Sequence, residues 1–98
     1  MNKYDIHMAE VSFEDVDETK LRPVLILEDK VCLVSCLSIT SNTARAEDYV
    51  IQMWKEAGLK KPSAIRLLQA LNLDPSLIGR KIGTLHPIDI LEIQERLW

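Results

Sequence analysis

Two apolar runs separated by a short charged turn constrain the fold of this 98-residue chain more than any other feature. The run RPVLILE covers residues 22–28, and the run KVCLVSCLSIT covers residues 30–40. Continuous stretches of this length rich in Val, Ile and Leu are typical of strands buried on both faces, and the charged residues between them indicate a hairpin. Because proline cannot donate to a ladder, Pro23 is expected at the first residue of its strand.

The N-terminal segment YDIHMAEVSF (4–13) shows the period-two alternation of a half-buried strand. Apolar residues occupy alternate positions from Tyr4 to Met8 and then shift phase by one residue toward Phe13, which indicates a bulge or the end of the strand. The charged stretch EDVDETKL (14–21) that follows is predicted to be an acidic connection.

The second half of the chain alternates between short apolar segments and polar connections. SNTARAED (41–48) is predicted to be a loop from its composition, and DYVIQM alternates again as a short strand. WKEAGL indicates one helical turn that ends near Gly58. SAIRLLQALNL (63–73) is predicted to be a long or bent strand, although its leucines also fit helical spacing.

The C-terminal segment carries two helix-start signals. Asp74 followed by Pro75 is typical of an N-cap with proline at the first helical position, so a short helix is expected there. HPIDILEIQERLW repeats apolar residues at helical spacing after Pro87, which predicts an amphipathic terminal helix. About five short strands, one helical turn and a closing helix predict a single domain over residues 1–98, mainly β, in the form of a small partly open barrel.

Composition and charge limit the classes of function. No stretch approaches the roughly 20 apolar residues that span a bilayer, and the N-terminus lacks an apolar signal region, so a cytoplasmic location is expected. The net charge of −3 argues against binding nucleic acid through bulk charge. Basic residues nevertheless cluster in the second half of the sequence: Lys60, Lys61, Arg66, Arg80 and Lys81. The lysine pair is expected to form a solvated turn, and the Arg80–Lys81 pair either caps the short helix or contributes to a binding channel.

The cysteines and histidines predict neither a disulfide nor a metal site. Cys32 and Cys36 lie four residues apart in one predicted strand, about 13 Å, which is too far for a disulfide. Both are therefore expected to be small buried residues. His7 and His86 are remote from them in sequence, and no metal ion or cofactor is expected.

Four motifs in order carry a resemblance to a known family. RPVLIL, ITSN, AGLKKPS and IGRKIGTL, followed by a closing helix, resemble the PemK/MazF family, the toxin halves of bacterial type II toxin–antitoxin pairs. The resemblance implies an SH3-like barrel of the MazF/CcdB type with a C-terminal helix. It also implies a homodimer, neutralised by a cognate antitoxin, that acts as a metal-independent, sequence-specific endoribonuclease (mRNA interferase) on single-stranded RNA.

The resemblance also assigns candidate site residues. Arg22 matches the catalytic arginine of the family's RP motif, and Thr40 matches the threonine that donates a hydrogen bond to the scissile phosphate. Arginine suits such a role because its planar fork binds phosphate oxygens in pairs and stays charged. Ser41, Asn42 and Arg66 are candidate RNA-binding residues, although Arg66 either lines a groove or pairs with an acid. Taken singly, an arginine before proline is usually solvated and Thr-Ser-Asn is usually turn chemistry.

Two departures from the family pattern keep other functions open. The first connection is short and acidic where many members have a longer, basic loop, and Leu68 and Leu71 stand where many members carry an acid and an arginine. The general base and acid are therefore unassigned. The alternative is a non-catalytic or weakly active toxin-like module that binds an antitoxin or a protein target. A generic SH3-like module for Pro-rich ligands is disfavoured because aromatic residues make up only 5% of the chain.

Overall fold

The structure is a computed structural model that describes residues 1–13 and 16–97. Within these residues, six antiparallel strands form one sheet in the order β4-β5-β3-β2-β1-β6. The elements in chain order are β1 (Asp5–Phe13), β2 (Val16–Asp29), β3 (Val34–Thr40), β4 (Tyr49–Val50), β5 (Ala64–Leu73), a 3₁₀ turn (Pro75–Leu77), β6 (Ile78–Thr84) and α1 (Pro87–Leu97). No pairing among these described strands joins β4 to β6, so the sheet remains open.

The β1–β2 hairpin is longer than the sequence indicates. β2 begins at Val16, so the prediction of an acidic connection over residues 14–21 is wrong for residues 16–21; Glu14 and Asp15 lie outside the described residues. Charged composition favoured a loop, but β1 supplies a ladder partner that pairs with residues 19–21 and, after a register shift, with Val16. Pairing with a distant strand satisfies backbone groups of this polar stretch, which local propensity cannot reveal.

Pro23 lies inside β2, not at its start, so that expectation is also wrong. Pairing between β2 and β3 begins at Val24 and Ser38, one residue beyond the proline. Upstream of Val24, β2 pairs only with β1 in the described ladders. A residue without an N–H is tolerated where one side of a strand has no ladder partner.

The β2–β3 turn separates the two cysteines. β3 begins at Val34, so Cys32 lies in the turn and is exposed, whereas Cys36 is buried in the strand. The expectation of two buried cysteines in one strand is therefore wrong for Cys32. Burial raises the pKa of the Cys36 thiol to about 11, which makes this side chain a poor nucleophile.

The C-terminal half contains one strand more than predicted. β5 is a strand over Ala64–Leu73, which confirms the strand prediction. Asp74 caps the 3₁₀ turn, since its carboxylate accepts the Ser76 N–H at 2.9 Å. The turn ends after three residues, however, and β6 follows it, because residues 78–84 pair with β1. α1 is confirmed as the terminal helix, whereas β4 is shorter than the alternating DYVIQM segment suggests.

Buried apolar side chains in the described ranges form two clusters. The helix-side core combines one face of the sheet with α1: Ile6, Leu25, Leu37, Ile39, Tyr49, Ile51, Ala57, Leu59, Ile65, Leu85 and Ile93. The barrel-side core consists of Ala9, Val11, Val24, Ile26, Val34 and Cys36, against which Leu71, Leu73 and Ile78 pack. Adjacent residues such as Val24 and Leu25 belong to different clusters, as strand alternation requires.

The barrel-side core is enclosed by the sheet alone, since its members come from β1, β2, β3, β5 and the start of β6. The sheet therefore curls around one core and is covered by α1 on its other face. This architecture confirms the predicted fold class, mainly β in a small partly open barrel with a C-terminal helix. Among the described helices, none has the length and apolarity to span a membrane.

Candidate functional site

A groove of about 570 Å³ runs between the sheet and the segment that precedes β5. We call it the cationic groove, and its lining residues are Met8, Leu21, Arg22, Pro23, Ile39, Ser41, Gly58, Leu59, Lys60, Lys61, Ser63, Arg80, Lys81 and Ile82. Five of these are Lys or Arg, and none of the described lining residues is Asp or Glu. A chain of net charge −3 thus concentrates positive charge in one concave surface. Such a surface attracts polyanions.

Two of the predicted residues lie just beyond the end of the β2–β3 ladder. Val24 pairs with Ser38, Leu25 with Leu37 and Ile26 with Cys36. The ladder ends at that first pair; Arg22 lies two positions before Val24 and Thr40 two positions after Ser38, and Arg22 itself pairs with Ala9 of β1. Arg22 is half-buried and lines the groove. Thr40 is half-buried at the last position of β3 and pairs with Ala64 of β5.

The residues after Thr40 form a tight turn at the edge of the groove. The Thr40 hydroxyl oxygen accepts the Asn42 N–H at 3.1 Å. The Asn42 side-chain oxygen accepts the Ala44 N–H at 3.0 Å. Ser41 and Asn42 are exposed, and Ser41 lines the groove. The segment after Thr40 is therefore both a hydrogen-bonded turn and part of the groove, because Ser41 lies in the turn and lines the groove.

Arg66 lies apart from the other candidate residues. Its Nε atom is 4.0 Å from Asp48 Oδ2, and it lines a second cavity together with Glu47, Asp48, Leu68 and Gln69. Of the two alternatives, a groove-lining arginine or one paired with an acid, the structure shows the second. Arg66 is absent from the cationic groove.

A buried carboxylate holds the segment that forms one wall of the groove. Asp89, in the first turn of α1, is fully buried and accepts three hydrogen bonds: the Tyr49 hydroxyl at 2.5 Å, the Gln52 N–H at 2.8 Å and the Met53 N–H at 3.0 Å. Burial and the bond to Asp89 raise the pKa of Tyr49. Asp89 thus ties the start of the 52–61 segment to α1, and this segment carries Lys60 and Lys61.

The same segment packs against β6 through two glycines. It contains the predicted helical turn, in which the Ala57 N–H donates to the Met53 carbonyl at 3.1 Å, and Gly58 follows with φ at 92°. A Cβ at Gly58 would lie 2.1 Å from the Ile82 carbonyl oxygen, and a Cβ at Gly83 would lie 1.9 Å from the Ala57 carbonyl oxygen. The two backbones approach too closely for any side chain, so glycine is required at both positions.

The opposite wall of the groove contains a bulge in β6. His7 pairs with Lys81 and Ala9 with Ile78, so Gly79 and Arg80 together oppose the single residue Met8. The His7 Nδ1 atom donates to the Gly79 carbonyl at 3.0 Å. A bulge bends its strand and re-aims side chains, and here the residues that follow Gly79 are two of the five groove cations, Arg80 and Lys81.

Asp5 positions one of those cations. Lys81 Nζ lies 3.3 Å from Asp5 Oδ1, which also accepts the Thr84 hydroxyl at 3.0 Å. Burial by itself would raise the Asp5 pKa, but the hydrogen bonds from the Asn2 backbone and Thr84, together with Lys81, hold the pKa below its usual value. Asp5 is therefore ionised at neutral pH and orients the Lys81 ammonium at the edge of the groove.

Sequence reasoning underrated the basic pairs. Lys60 and Lys61 were expected to form only a solvated turn, and Arg80 and Lys81 had two open interpretations; all four line the groove. The available signal was the recurrence of paired basic residues in a chain with a net negative charge. Among the described residues, no group of three or more His, Cys, Asp or Glu side chains is placed to hold a metal ion.

Comparisons with known proteins show which family the chain resembles in structure and in sequence. The chain is similar in structure to the Mycobacterium tuberculosis toxin MazF-mt6, with a TM-score of 0.75 and 26% sequence identity over 95% of this chain and 91% of that one. No curated protein matches the sequence significantly. The sequence model of the family described as "PemK-like, MazF-like toxin of type II toxin-antitoxin system" matches residues 2–98. The chain therefore belongs to the PemK-like, MazF-like toxins of type II toxin–antitoxin systems.

Proposed function

We propose that this toxin is a metal-independent, sequence-specific endoribonuclease that cleaves single-stranded RNA. The observation that carries the proposal is the cationic groove, which is lined by five Lys and Arg side chains, Arg22 among them, together with Ser41 of the turn after Thr40. RNA affinity comes mainly from phosphate contacts. A groove with this charge supplies such contacts even though the whole chain is acidic.

The proposed reaction uses the substrate's own 2′-hydroxyl group. The 2′ oxygen attacks the adjacent phosphorus, the bond from phosphorus to the 5′ oxygen breaks, and the products are a 2′,3′-cyclic phosphate and a 5′-hydroxyl. A proton leaves the 2′ oxygen and another reaches the 5′ oxygen. Negative charge builds on the non-bridging phosphate oxygens in the transition state, and preorganised donors aimed at that charge are the largest catalytic contribution in many enzymes.

Arg22 and Thr40 are the proposed donors. The Arg22 guanidinium binds two phosphate oxygens at once. Thr40 accepts the Asn42 N–H through its hydroxyl oxygen, and a hydroxyl that accepts one bond still has its own proton to donate. The bond from Asn42 thus holds Thr40 in place while its O–H group is directed to the phosphate. Ser41 and Asn42, exposed on the same turn, are proposed to contact the neighbouring nucleotides.

The proposed partners follow from the family. An antitoxin is expected to cover the cationic groove with an acidic or flexible segment, and the toxin is expected to act as a homodimer in the cytoplasm. The chain offers apolar surface for such contacts, since Leu91 is 63% exposed and Ile88 is 46% exposed on α1.

The decisive experiment is cleavage of a long, diverse RNA by the purified chain in EDTA, beside Arg22→Ala and Lys30→Ala. Lys30 is a matched control because it is an exposed cation in the turn at the other end of β2. We expect cuts at a defined sequence that end in cyclic phosphate, lost in Arg22→Ala and retained in Lys30→Ala. Growth arrest with intact RNA would reject the nuclease and favour a module that binds an antitoxin or a protein target.

A further inference from the structure

The cationic groove contains few groups that can donate a proton. In its described lining, the titratable side chains are three lysines and two arginines, and none is Asp, Glu, His, Cys or Tyr. An arginine keeps its proton in proteins, because its pKa lies above about 12. Among these described residues, Lys60, Lys61 and Lys81 are therefore the only charged side chains with a proton that can be transferred.

His7 and Ser63 lie near these lysines but cannot supply the proton. The His7 Nδ1 atom donates to the Gly79 carbonyl, and its Nε2 atom is buried, with no hydrogen-bond partner among the described residues. A nitrogen with almost no accessible surface cannot reach a substrate. Ser63 is buried, and its hydroxyl donates to the Lys61 carbonyl at 2.9 Å. The hydroxyl of Ser41 is exposed, but an alcohol is a much weaker acid than an ammonium group.

A buried carboxylate fixes the ammonium group of Lys81. Lys81 Nζ lies 3.3 Å from Asp5 Oδ1, and the Asp5 side chain is 6% exposed. Asp5 is held in turn, because it accepts the Thr84 hydroxyl at 3.0 Å and the Asn2 N–H at 3.0 Å. The Lys81 side chain is itself 48% exposed, and an ammonium group has three N–H donors. One N–H can therefore point to Asp5 while the others face the groove.

Lys60 and Lys61 lack such an anchor. Both are exposed in the connection before β5, and no ion pair within the described part of the chain includes either ammonium group. A long side chain that only the substrate orders loses conformational freedom during the reaction. A reacting group held in place beforehand avoids this cost. Lys81 is therefore the groove lysine that is best positioned to transfer a proton.

The sheet places Lys81 and Arg22 on the two sides of β1. Lys81 of β6 pairs with His7, and His7 pairs with Val24 of β2, two residues after Arg22. Neighbouring strands lie about 4.8 Å apart, so the backbones of β2 and β6 are about 10 Å apart there. Both residues line the same groove. A phosphate between them can accept from Arg22 through its non-bridging oxygens and from Lys81 through its leaving oxygen.

We propose that Lys81 is the general acid of RNA cleavage and that Asp5 is its positioning residue. This inference rests on the proposed ribonuclease function. As the bond between phosphorus and the 5′ oxygen breaks, its electron pair moves to the 5′ oxygen, which takes a proton from Lys81 Nζ. The proton of the attacking 2′-hydroxyl passes to water, and the neutral Lys81 amine regains a proton from solvent. The transfer is favourable because an alkoxide is a far stronger base than an amine.

The test is cleavage of an RNA oligonucleotide in which sulfur replaces the 5′ oxygen at the cut. The oligonucleotide carries the sequence mapped in the EDTA digest, and the unmodified oligonucleotide is measured beside it. A thiolate leaves without a proton, so the sulfur substrate does not need a general acid. We expect Lys81→Met to lower the single-turnover rate on the oxygen substrate by about 100-fold or more. It should cut the sulfur substrate at nearly the wild-type rate.

The variant Lys81→Arg distinguishes proton transfer from charge. A guanidinium group can pair with Asp5 and keeps the positive charge, but it does not release its proton. Lys81→Arg should therefore be as slow as Lys81→Met on the oxygen substrate, and it should also recover on the sulfur substrate. Arg22→Ala should be slow on both substrates, because it removes a donor to the phosphate oxygens and not the transferred proton. Lys30→Ala should match the wild type on both.

The variant Asp5→Asn tests the positioning residue. It removes the carboxylate charge that holds the ammonium group, and a displacement of about 1 Å can cost roughly 100-fold in rate. We expect a loss of up to that size on the oxygen substrate and almost none on the sulfur substrate. Thermal melts establish folding, and if Asp5→Asn does not fold, Thr84→Val replaces it because this variant removes the Thr84 bond to Asp5. Full activity of the folded variant on the oxygen substrate would overturn the role of Asp5.

Two results would overturn the role of Lys81 alone. A wild-type rate of Lys81→Arg on the oxygen substrate would show that only its charge is used. An equal loss of rate on both substrates in Lys81→Met would show a phosphate contact and no proton transfer. In either case, cleavage by the wild type in EDTA would leave the proposed nuclease intact. Absence of cleavage by the wild type would reject the nuclease and this inference together.

Discussion

Arg22 shows how the position of a strand gives one residue its proposed role. It is the seventh residue of β2, it pairs with Ala9 of β1, and it lines the groove two positions before the ladder with β3 begins at Val24. An arginine before a proline has no special property in isolation. Its proposed role comes from a position in the groove that it shares with Ser41 and four other cations.

Two substitutions of Arg22 distinguish the contribution of its charge from that of its planar guanidinium group. Arg22→Ala should lower the single-turnover cleavage rate by roughly 100- to 1,000-fold, the usual cost of one lost transition-state donor. Arg22→Lys keeps the charge but loses the planar fork, so RNA affinity should be retained while the rate remains well below that of the wild type. Equal rates for Arg22→Lys and the wild type would mean that charge alone is used.

Asp89 and Tyr49 form the other residue-scale feature with a measurable consequence. Their hydrogen bond is buried and keeps the Tyr49 phenol neutral, which raises its pKa above the ordinary value. The unfolded chain loses the same proton near pH 10. The stabilisation is therefore complete below about pH 10 and decreases as the pH rises above it, because the unfolded state then binds fewer protons.

The variant Tyr49→Phe tests this dependence. At pH 7 it should lower the free energy of unfolding by about 1 kcal/mol, since Asp89 loses one donor. Above pH 10 the difference between wild type and variant should shrink, because only the wild type loses this contribution. Urea unfolding at pH 7, 10 and 11 measures both effects. A difference that stays constant with pH would contradict a raised Tyr49 pKa.

At the scale of elements, two anchors hold the 52–61 segment as a wall of the groove. Asp89 binds its start, and the close contact between Gly58 and Gly83 holds its turn against β6. Lys60 and Lys61 follow the second anchor directly. The segment thus carries Lys60 and Lys61, one of the two pairs of adjacent basic residues in the groove, and it belongs to neither a strand nor a helix.

The variant Gly83→Ala should push the 52–61 segment away from β6. A Cβ there would lie 1.9 Å from the Ala57 carbonyl oxygen, and overpacking of this kind costs about 1–3 kcal/mol. We expect the melting temperature to fall by roughly 4–8 °C for each kcal/mol. Gly79→Ala is the matched control, since its Cβ would meet the Met8 carbonyl oxygen at 3.1 Å. Equal melting temperatures for the two variants would contradict the close crossing.

His7 is a positioning residue for the bulge in β6. His7→Leu removes the donor to the Gly79 carbonyl and should weaken oligonucleotide binding severalfold, because Arg80 and Lys81 follow directly after Gly79. His7→Asn can donate from nearly the same place as Nδ1 and should restore affinity. Anisotropy measured well below both melting temperatures tests this. If both variants bind equally, the bond to Gly79 does not position the cations.

At the scale of the whole molecule, the notable property is the separation of charge. The chain has 15 acidic and 12 basic residues, yet the described lining of one groove contains five cations and no acid. Favourable phosphate contacts can therefore form locally while the rest of the surface limits non-specific binding.

Salt dependence measures how many of these cations bind RNA. Release of counterions from single strands gives a slope of about −0.7 in log affinity against log salt for each phosphate contact, so five contacts predict a slope of about −3.5. Lys60→Met should make the slope shallower by about 0.7, and Lys30→Ala should not change it. A slope near zero in the wild type would remove the groove as the RNA site.

Much of the architecture follows from the pattern of apolar and polar residues within short stretches of the sequence. The apolar run of residues 22–28 and the run that follows it form adjacent strands, residues 64–73 form a strand, and the segment after Pro87 forms the terminal helix. The Asp74 cap was also predictable, because a cap needs only its own neighbours. These features depend on residues within a few positions of one another, and so did the ordered motifs that led to the family.

The sequence by itself thus determined the fold class, the family and the candidate pair Arg22 and Thr40. Only the tertiary structure decided that residues 16–21 and 78–84 are strands, because both pair with β1 and charged or glycine-containing stretches do not indicate this alone. It also decided that Arg66 lines a second cavity together with Asp48 and that Lys60 and Lys61 line the groove. Ladder register, bulges and the anchors of a loop arise from contacts between distant residues, and these contacts determine which charges meet.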